Sequence, residues 1–186
     1  MRLSENRALA WGVLAVCALG SVVGLGGMGL ARERAGVEKL FYSGANAEAV
    51  ARESMDAYLD RAAECASLMA SELELRLGAE SATAQKMRAQ LERFGDEHSI
   101  AERYAAYTEL QRLSDEAYNA VYASALTDGE RRDFKNAYDD FWGCDKYVRI
   151  DPYRAAAAAF NDRLDGFPAG AVAKLMGVEE IESFGG

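Results

Sequence analysis

Proline, histidine and cysteine are scarce in this chain. It has two prolines, one histidine and three cysteines among 186 residues. With few prolines and abundant alanine, long stretches contain no helix breaker. The scarcity of histidine and cysteine removes the usual ligands of zinc and the usual general base of nucleophilic catalysis. The composition therefore predicts an all-α protein and argues against an enzyme.

The single histidine limits the catalytic arrangements that the chain can form. His98 lies in the polar stretch from Gly95 to Ser99, which we interpret as an exposed junction between helices. No GxxxxGK, GxGxxG, HExxH or EF-hand loop occurs, and a di-metal site in a helical bundle would need two Glu-x-x-His pairs. We therefore expect no catalytic residue, no cofactor and no zinc site, whereas metal binding by carboxylates alone stays open.

The cysteines do not form a metal-binding motif, since no CxxC occurs. Cys17 lies in the N-terminal apolar run, and Cys65 and Cys144 lie in the rest of the chain. In an oxidising compartment Cys65 and Cys144 could pair, but as small buried hydrophobes they need no such role. Both readings stay open, because the sequence does not supply the Cα separation that a disulfide requires.

Positive charge is also in short supply. The chain carries 21 basic and 30 acidic side chains, a formal net charge of −9 at pH 7. A field of this sign repels phosphate backbones and anionic lipid headgroups. We therefore expect no nucleic-acid partner and no broad electrostatic attraction to a bilayer.

One long apolar run begins near the N-terminus. Residues 8–31 carry no charge between Arg7 and Arg32, and a helix of that length crosses a hydrocarbon core about 30 Å thick. A cleaved signal peptide is the alternative, but signal apolar regions usually span only about 7–15 residues. We therefore predict a short tail (1–7), an uncleaved transmembrane anchor (8–31), and a juxtamembrane helix and linker (32–46).

The orientation of the anchor is indicated by its flanking basic residues. Arg32, Arg34 and Lys39 outnumber those before the run, which favours a single-pass protein of the cell membrane with a cytoplasmic domain. Gly20 and Gly24 have the spacing that lets two membrane helices approach closely. This spacing arises easily in a glycine-rich segment, so a homo-oligomer stays open and is not the expected state.

Apolar residues recur at alternating spacings of three and four through residues 47–186, which is the period of amphipathic helices. The first long stripe runs from Met55 to Leu77. We expect its helix to begin at about Ala47 and to end at Gly78, since glycine commonly follows the last helical residue. The region is the size of one domain.

Further helix signals follow in the same domain. A stripe runs from Ile100 to Leu126, either joined to the shorter stripe before it or separate from it, and Thr127 or Asp128 is the candidate N-cap of the next helix. Asp151 followed by Pro152 predicts the start of another helix, because proline suits the first helical position. Short polar connections join these segments. They predict a long antiparallel bundle of three to four helices.

Two groups of side chains in the last third are candidates for binding. The aromatic residues are dense enough to line a pocket, although helical spacing is more typical of a bundle core: Tyr138, Phe141, Trp142, Tyr147, Tyr153 and Phe160. The acidic residues nearby are interpreted as a solvated helix face: Asp139, Asp140, Asp145 and Asp151.

The same region carries an ordered set of motifs. They are Tyr153-Arg154, Phe160-Asn161, Phe167-Pro168, Val172-Ala173, and Gly177-Val178 followed by Phe184. Over about residues 138–184 this order resembles the C-terminal signature of LemA family proteins. Arg154 stands where the family usually has asparagine, and residues 51–68 preserve only the apolar spacing of the family's N-terminal signature.

The resemblance implies a short tail, one transmembrane helix and a long antiparallel helical domain, with no established enzymatic activity. The best-known branch of the family resembles membrane-remodelling or organelle-assembly factors in bacteria. Structural roles are implied for the signature residues Tyr153, Phe160, Asn161, Phe167, Pro168, Ala173, Gly177 and Phe184.

Two of these positions have a physical interpretation of their own. Pro168 disfavours helical backbone at Phe167, and we expect the Phe167 ring to fold back into the end of the bundle, with an exposed partner contact as the alternative. Asn161 is expected to hydrogen-bond the backbone of a turn, with an exposed helix position as the alternative.

These patterns predict a membrane-anchored helical scaffold or adaptor of the LemA type, which acts through protein–protein contacts. Its expected partners are a membrane or membrane-proximal protein and, through residues 8–31, the lipid bilayer. A ligand-sensing helical bundle tethered to the membrane is the alternative. An exposed apolar patch would favour the scaffold, and a pocket lined by the aromatic residues near Trp142 would favour the sensor.

Overall fold

Helices make up nearly all of the described chain, as the composition predicts. The computed structural model describes residues 7–44, 46–47, 50–51, 53–95 and 99–184. Its helices are α1 (Arg7–Ser43), α2 (Met55–Leu77), α3 (Ala82–Gly95), α4 (Ile100–Ala123), α5 (Asp128–Arg149), α6 (Pro152–Asp165) and α7 (Ala169–Met176). Two short strands, β1 (Asn46–Ala47) and β2 (Val50–Ala51), pair antiparallel with Asn46 opposite Ala51.

Helix α1 contains the apolar run and continues through the predicted juxtamembrane helix. By length and composition, Ala10–Ser43 is long and apolar enough to cross a membrane. The helix ends before Gly44, whose φ of 69° lies in the left-handed region that favours glycine. Large apolar side chains of the run are exposed: Trp11, Val13, Leu14, Val16, Val22, Leu25 and Met28.

The chain divides into two compact units. The first unit comprises the residues up to Glu38 together with Ala156–Ile181, and the second comprises Lys39–Ala155 together with Glu182–Gly186. Each unit is thus assembled from segments that are distant in sequence. The described part of the first unit holds the apolar run, most of α6, and α7.

The second unit is built around α2. This helix packs against α5, α3 and α4, and α3 also packs against α4. Its buried face confirms the predicted apolar stripe as far as Leu73, whereas Leu77 is exposed at the end of the helix. The buried residues are Met55, Leu59, Ala62, Ala66, Met69, Ala70 and Leu73.

Helix α2 begins later than predicted. Its N-cap is Ser54, whose hydroxyl oxygen accepts a hydrogen bond from the amide of Ala57 at 3.1 Å. Strands β1 and β2 occupy part of the stretch from Ala47 that we predicted as helical. A serine that satisfies a first-turn amide stabilises a helix start by about 1 kcal/mol. The predicted stripe therefore had the right period and the wrong beginning.

Capping boxes start α4 and α5. The amide of Ser99 donates to the Glu102 carboxylate at 3.1 Å while the Ser99 hydroxyl accepts from the amide of Glu102. Thr127, one of the two N-cap candidates, makes the same reciprocal pair with Glu130. Helix α4 thus starts at its own cap. In the described residues six helices follow α1, where three to four were predicted.

Helix α6 begins where the Asp151-Pro152 pair predicts a helix start. The Asp151 carboxylate accepts from the amide of Tyr153 at 2.9 Å, and Pro152 is the first residue of α6. Helix α7 ends at Met176, and its C-cap is Gly177, whose φ of 66° suits glycine.

An aromatic cluster joins the end of α1 to the core of the second unit. Phe41 is fully buried, with its ring centroid 5.1 Å from that of Tyr153 and 6.2 Å from that of Phe184. Phe184 also lies 4.6 Å from Tyr104 and 6.1 Å from Tyr107, centroid to centroid. Tilted and edge-on pairs of this kind are favourable beyond the area that they bury. Residues from both ends of the sequence therefore complete one core.

We expect Phe41→Ala to lower the free energy of unfolding by about 3–5 kcal/mol, because it removes a fully buried ring. Tyr42→Ala is the control, since Tyr42 is 56% exposed, and it should change stability by only about 0.5 kcal/mol. Urea denaturation of the full-length chain in detergent measures both. Equal losses of stability would contradict this description of the core.

Candidate functional site

A carboxylate is buried inside the second unit. Asp145 on α5 is 5% exposed. It accepts from the Tyr107 hydroxyl at 2.9 Å and from Gln111 Nε2 at 2.5 Å, both on α4. Arg149 Nε, one turn along α5, donates to its other oxygen at 2.5 Å. The interpretation of Asp145 as part of a solvated face is therefore wrong.

This cluster holds α4 to α5. Burial, followed by the nearby Asp145 carboxylate, raises the pKa of Tyr107 well above its ordinary value, so the hydroxyl stays a proton donor. A buried carboxylate is stable only when donors replace its water, and here three side chains do so. Local spacing could have indicated the Asp145–Arg149 pair, but not the two partners from α4.

Tyr107→Phe should cost about 1.5–3 kcal/mol, because the buried carboxylate loses a hydrogen-bond donor. Tyr138→Phe is the matched control: the Tyr138 hydroxyl donates to Asp115 at 2.8 Å at an exposed site, and its loss should cost about 0.5 kcal/mol or less. Thermal melts of both variants test the difference. A neutral Tyr107→Phe would show that Asp145 is solvated after all.

A second polar cluster connects three helices. Arg103 on α4 pairs with Asp56 and, at 2.7 Å, with Asp60, both on α2. Its guanidinium carbon lies 4.5 Å from the centroid of the Phe94 ring on α3, a cation–π contact. Burial raises the pKa of Asp56 more than Arg103 lowers it. The contacts of Arg103 therefore link α4 to α2 and α3.

Cys65 on α2 and Cys144 on α5 are half-buried free thiols. Burial, with a smaller effect of the nearby Cys144, raises the pKa of Cys65 to about 11. Burial also raises the pKa of Cys144. Such thiols are almost entirely protonated at neutral pH, and the thiol is a poor nucleophile.

The remaining candidate residues divide between core and surface. Phe141 and Tyr153 are core residues of the second unit, and Phe160 is buried in the first unit. Tyr147 is 49% exposed and stacks on Tyr58 at 4.8 Å. Tyr138 and Trp142 are partly buried, and Asp139 and Asp140 are exposed. His98 lies outside the described residues, so its expected exposure stays a prediction.

Two signature residues bind the backbone of the C-terminal stretch. Asn161 Nδ2 donates to the carbonyl of Ile181 and its Oδ1 accepts from the Ile181 amide, both at 2.9 Å. Asn161 thus bonds backbone, as expected, but Ile181 lies in an irregular stretch and not in a turn. In the second unit, the Tyr153 hydroxyl donates to the carbonyl of Glu182 at 2.6 Å. Both contacts are structural, and Ala173 and Phe184 are buried.

Comparison with known proteins finds no family model, no curated protein and no solved structure that matches the chain. The likeness to LemA family proteins therefore stays a resemblance that rests on the sequence motifs.

Phe167 departs from the expected structural role. Its side chain is 93% exposed, so the prediction that it folds back into a core is wrong. Leu164 and Val172, which flank the turn between α6 and α7, are buried in its place. Pro168 restricts the backbone of the turn without turning the Phe167 ring inward.

Phe167→Ala should leave the free energy of unfolding within about 0.5 kcal/mol of the wild-type value in detergent, because the ring makes few contacts. Phe160→Ala is the matched control in the same unit, since Phe160 is buried, and should cost about 3–5 kcal/mol. Urea midpoints measure both changes. A large cost for Phe167→Ala would restore the original prediction.

Proposed function

We propose that this protein is a membrane-anchored helical scaffold or adaptor, similar in kind to LemA family proteins, which acts through protein–protein contacts without catalytic chemistry. The observation that carries the proposal is that the two parts of α1 have different surroundings. Its apolar run is largely exposed, whereas Phe41, near its other end, is fully buried in the second unit. One continuous helix can therefore be both membrane span and core element. In this proposal it crosses the cell membrane once, and its basic flank favours a cytoplasmic domain.

The scaffold itself would be an antiparallel bundle formed by α2 to α5. Tyr58, near the start of α2, stacks on Tyr147, near the end of α5. Between α4 and α5, Tyr107 bonds Asp145 while the later Asp115 bonds the earlier Tyr138. Both pairings run in opposite directions along the chain, as neighbours in an antiparallel bundle do.

The outer face of α2 offers a contact surface. Leu68 and Leu75, two turns apart on that helix, are 59% and 68% exposed although the opposite face is tightly buried. Exposed apolar side chains on one face indicate a partner. We propose that the partner is a membrane or membrane-proximal protein, since the net charge of −9 disfavours nucleic acid. The sensor alternative has less support, because Phe141 and Tyr153, which were candidates to line a ligand pocket, are buried in the core of the second unit.

Fractionation and proximity labelling test this function together. The full-length chain should stay in the membrane pellet through a carbonate wash, because an embedded apolar helix resists extraction. Replacing both Leu68 and Leu75 by aspartate should abolish the labelling of neighbouring proteins that are labelled when the wild-type chain is used. Ile150→Asp, at a residue 57% exposed elsewhere in the second unit, should keep them.

Two results would oppose the proposal separately. A soluble product that begins near Arg32 would show that the apolar run is a removed signal. Unchanged labelling in the Leu68 and Leu75 double variant would show that this face of α2 is not the contact surface.

A further inference from the structure

In the first unit, α7 packs against the apolar run of α1. A Cβ built on Gly26 would lie 3.5 Å from a methyl carbon of Val172, and one built on Gly27 would overlap the side chain of Met176. Glycine at position 27 is therefore what admits Met176 against the helix. Because both glycines belong to residues 8–31, α7 lies beside the proposed membrane span and not beyond it.

Polar contacts bound the chain on each side of α7. Before it, Arg163 Nη1 binds the Glu33 carboxylate at 2.6 Å, and after it, Arg34 Nε donates to the carbonyl of Glu179 at 3.2 Å. Glu33 and Arg34 lie about 10 Å along α1 from the two glycines, given a rise of about 1.5 Å per residue. Between Arg163 and Glu179 the chain therefore runs about 10 Å along α1 from the polar contacts to the two glycines, and then back to the polar contacts.

The residues between these contacts, 164–178, form what we call the interface segment. Asp165 and Lys174 are its only charged residues. Several of its large apolar side chains are exposed, which is unfavourable in water by about 25 cal/mol per Å² of apolar surface: Phe167, Leu175 and Met176. At the same level α1 exposes Leu25 and Met28. The exposed apolar surface of the segment therefore continues that of the span.

The backbone of the interface segment is suited to a place with little water. The amide of Gly166 donates to the carbonyl of Arg163 at 3.1 Å, and that of Gly170 donates to the Gly166 carbonyl at 2.8 Å. At the other end, the amide of Val178 donates to the carbonyl of Ala173 at 2.9 Å. A non-helical turn near the hydrocarbon region is tolerated when its polar groups are paired within the protein.

We propose that the interface segment is embedded in the lipid–water interface of the bilayer that α1 spans. Phe167 and Leu175 lie among the outer parts of the acyl chains, and the Lys174 ammonium reaches back to the phosphates of the headgroups. Interfacial helices bury their apolar faces about 5–10 Å below the headgroups, which matches the 10 Å scale between the polar contacts and the glycines. The assignment rests on the proposed membrane span.

Quenching by brominated lipids tests this placement in the full-length chain. Three single-tryptophan proteins are reconstituted in phosphatidylcholine vesicles with bromine on the acyl chains. One retains native Trp11 and carries Trp142→Phe. The other two carry Trp11→Phe and Trp142→Phe, with either Phe167→Trp or the control Ala159→Trp, an exposed position of α6 in the same unit.

We expect the Trp11 and Phe167→Trp proteins to lose emission, and the Ala159→Trp protein to keep it. Bromine close to the headgroups should quench the Phe167→Trp protein more than bromine deep in the acyl chains. Quenching of the Trp11 protein without quenching of the Phe167→Trp protein would overturn the interface assignment, leave the span intact, and favour a protein as the partner of Phe167. Equal quenching of all three would also overturn it. An unquenched Trp11 protein would instead refute the span.

Discussion

Helix α1 has to satisfy two different surroundings along one continuous backbone, and the rest of the structure depends on how it does so. Its apolar run exposes large side chains, whereas Phe41 is fully buried among Tyr153 and Phe184. Between them the helix carries charged residues that pair locally, such as Arg34 with Glu38 at 3.0 Å. The helix therefore changes from an apolar surface to a polar one and then to a core position.

In the second unit, small residues allow the helices to approach and polar residues fix their alignment. Alanine fills much of the buried face of α2, with Ala62, Ala66 and Ala70 fully buried. A smooth alanine-rich face packs closely but specifies register poorly, because many alignments bury similar area. Asp145 and Arg103 each bind side chains of a neighbouring helix, and slipping either pairing would leave a charge unsatisfied.

Signals from neighbouring residues predicted the helices, whereas the burial of individual side chains depends on contacts between residues that are distant in sequence. The apolar stripe of α2, the cap at Thr127 or Asp128 and the Asp151-Pro152 start each depend on a few neighbouring residues, so they could be predicted from the sequence. The burial of Asp145 depends on Tyr107 and Gln111 from another helix, which no local spacing indicates. Similarly, Pro168 restricts the backbone of its turn without determining which side of it Phe167 faces.

The two units differ in how completely they bury their own apolar residues, and this difference bears on the surroundings of each. The second unit encloses its largest rings, including Phe41, Phe134 and Phe141. The first unit consists of the apolar run, part of α6 and the short α7, which is too little chain to cover a helix of this length. Its exposed apolar residues therefore lie on both α1 and the interface segment. In the proposed arrangement, a bilayer would cover the apolar surface that this unit leaves exposed.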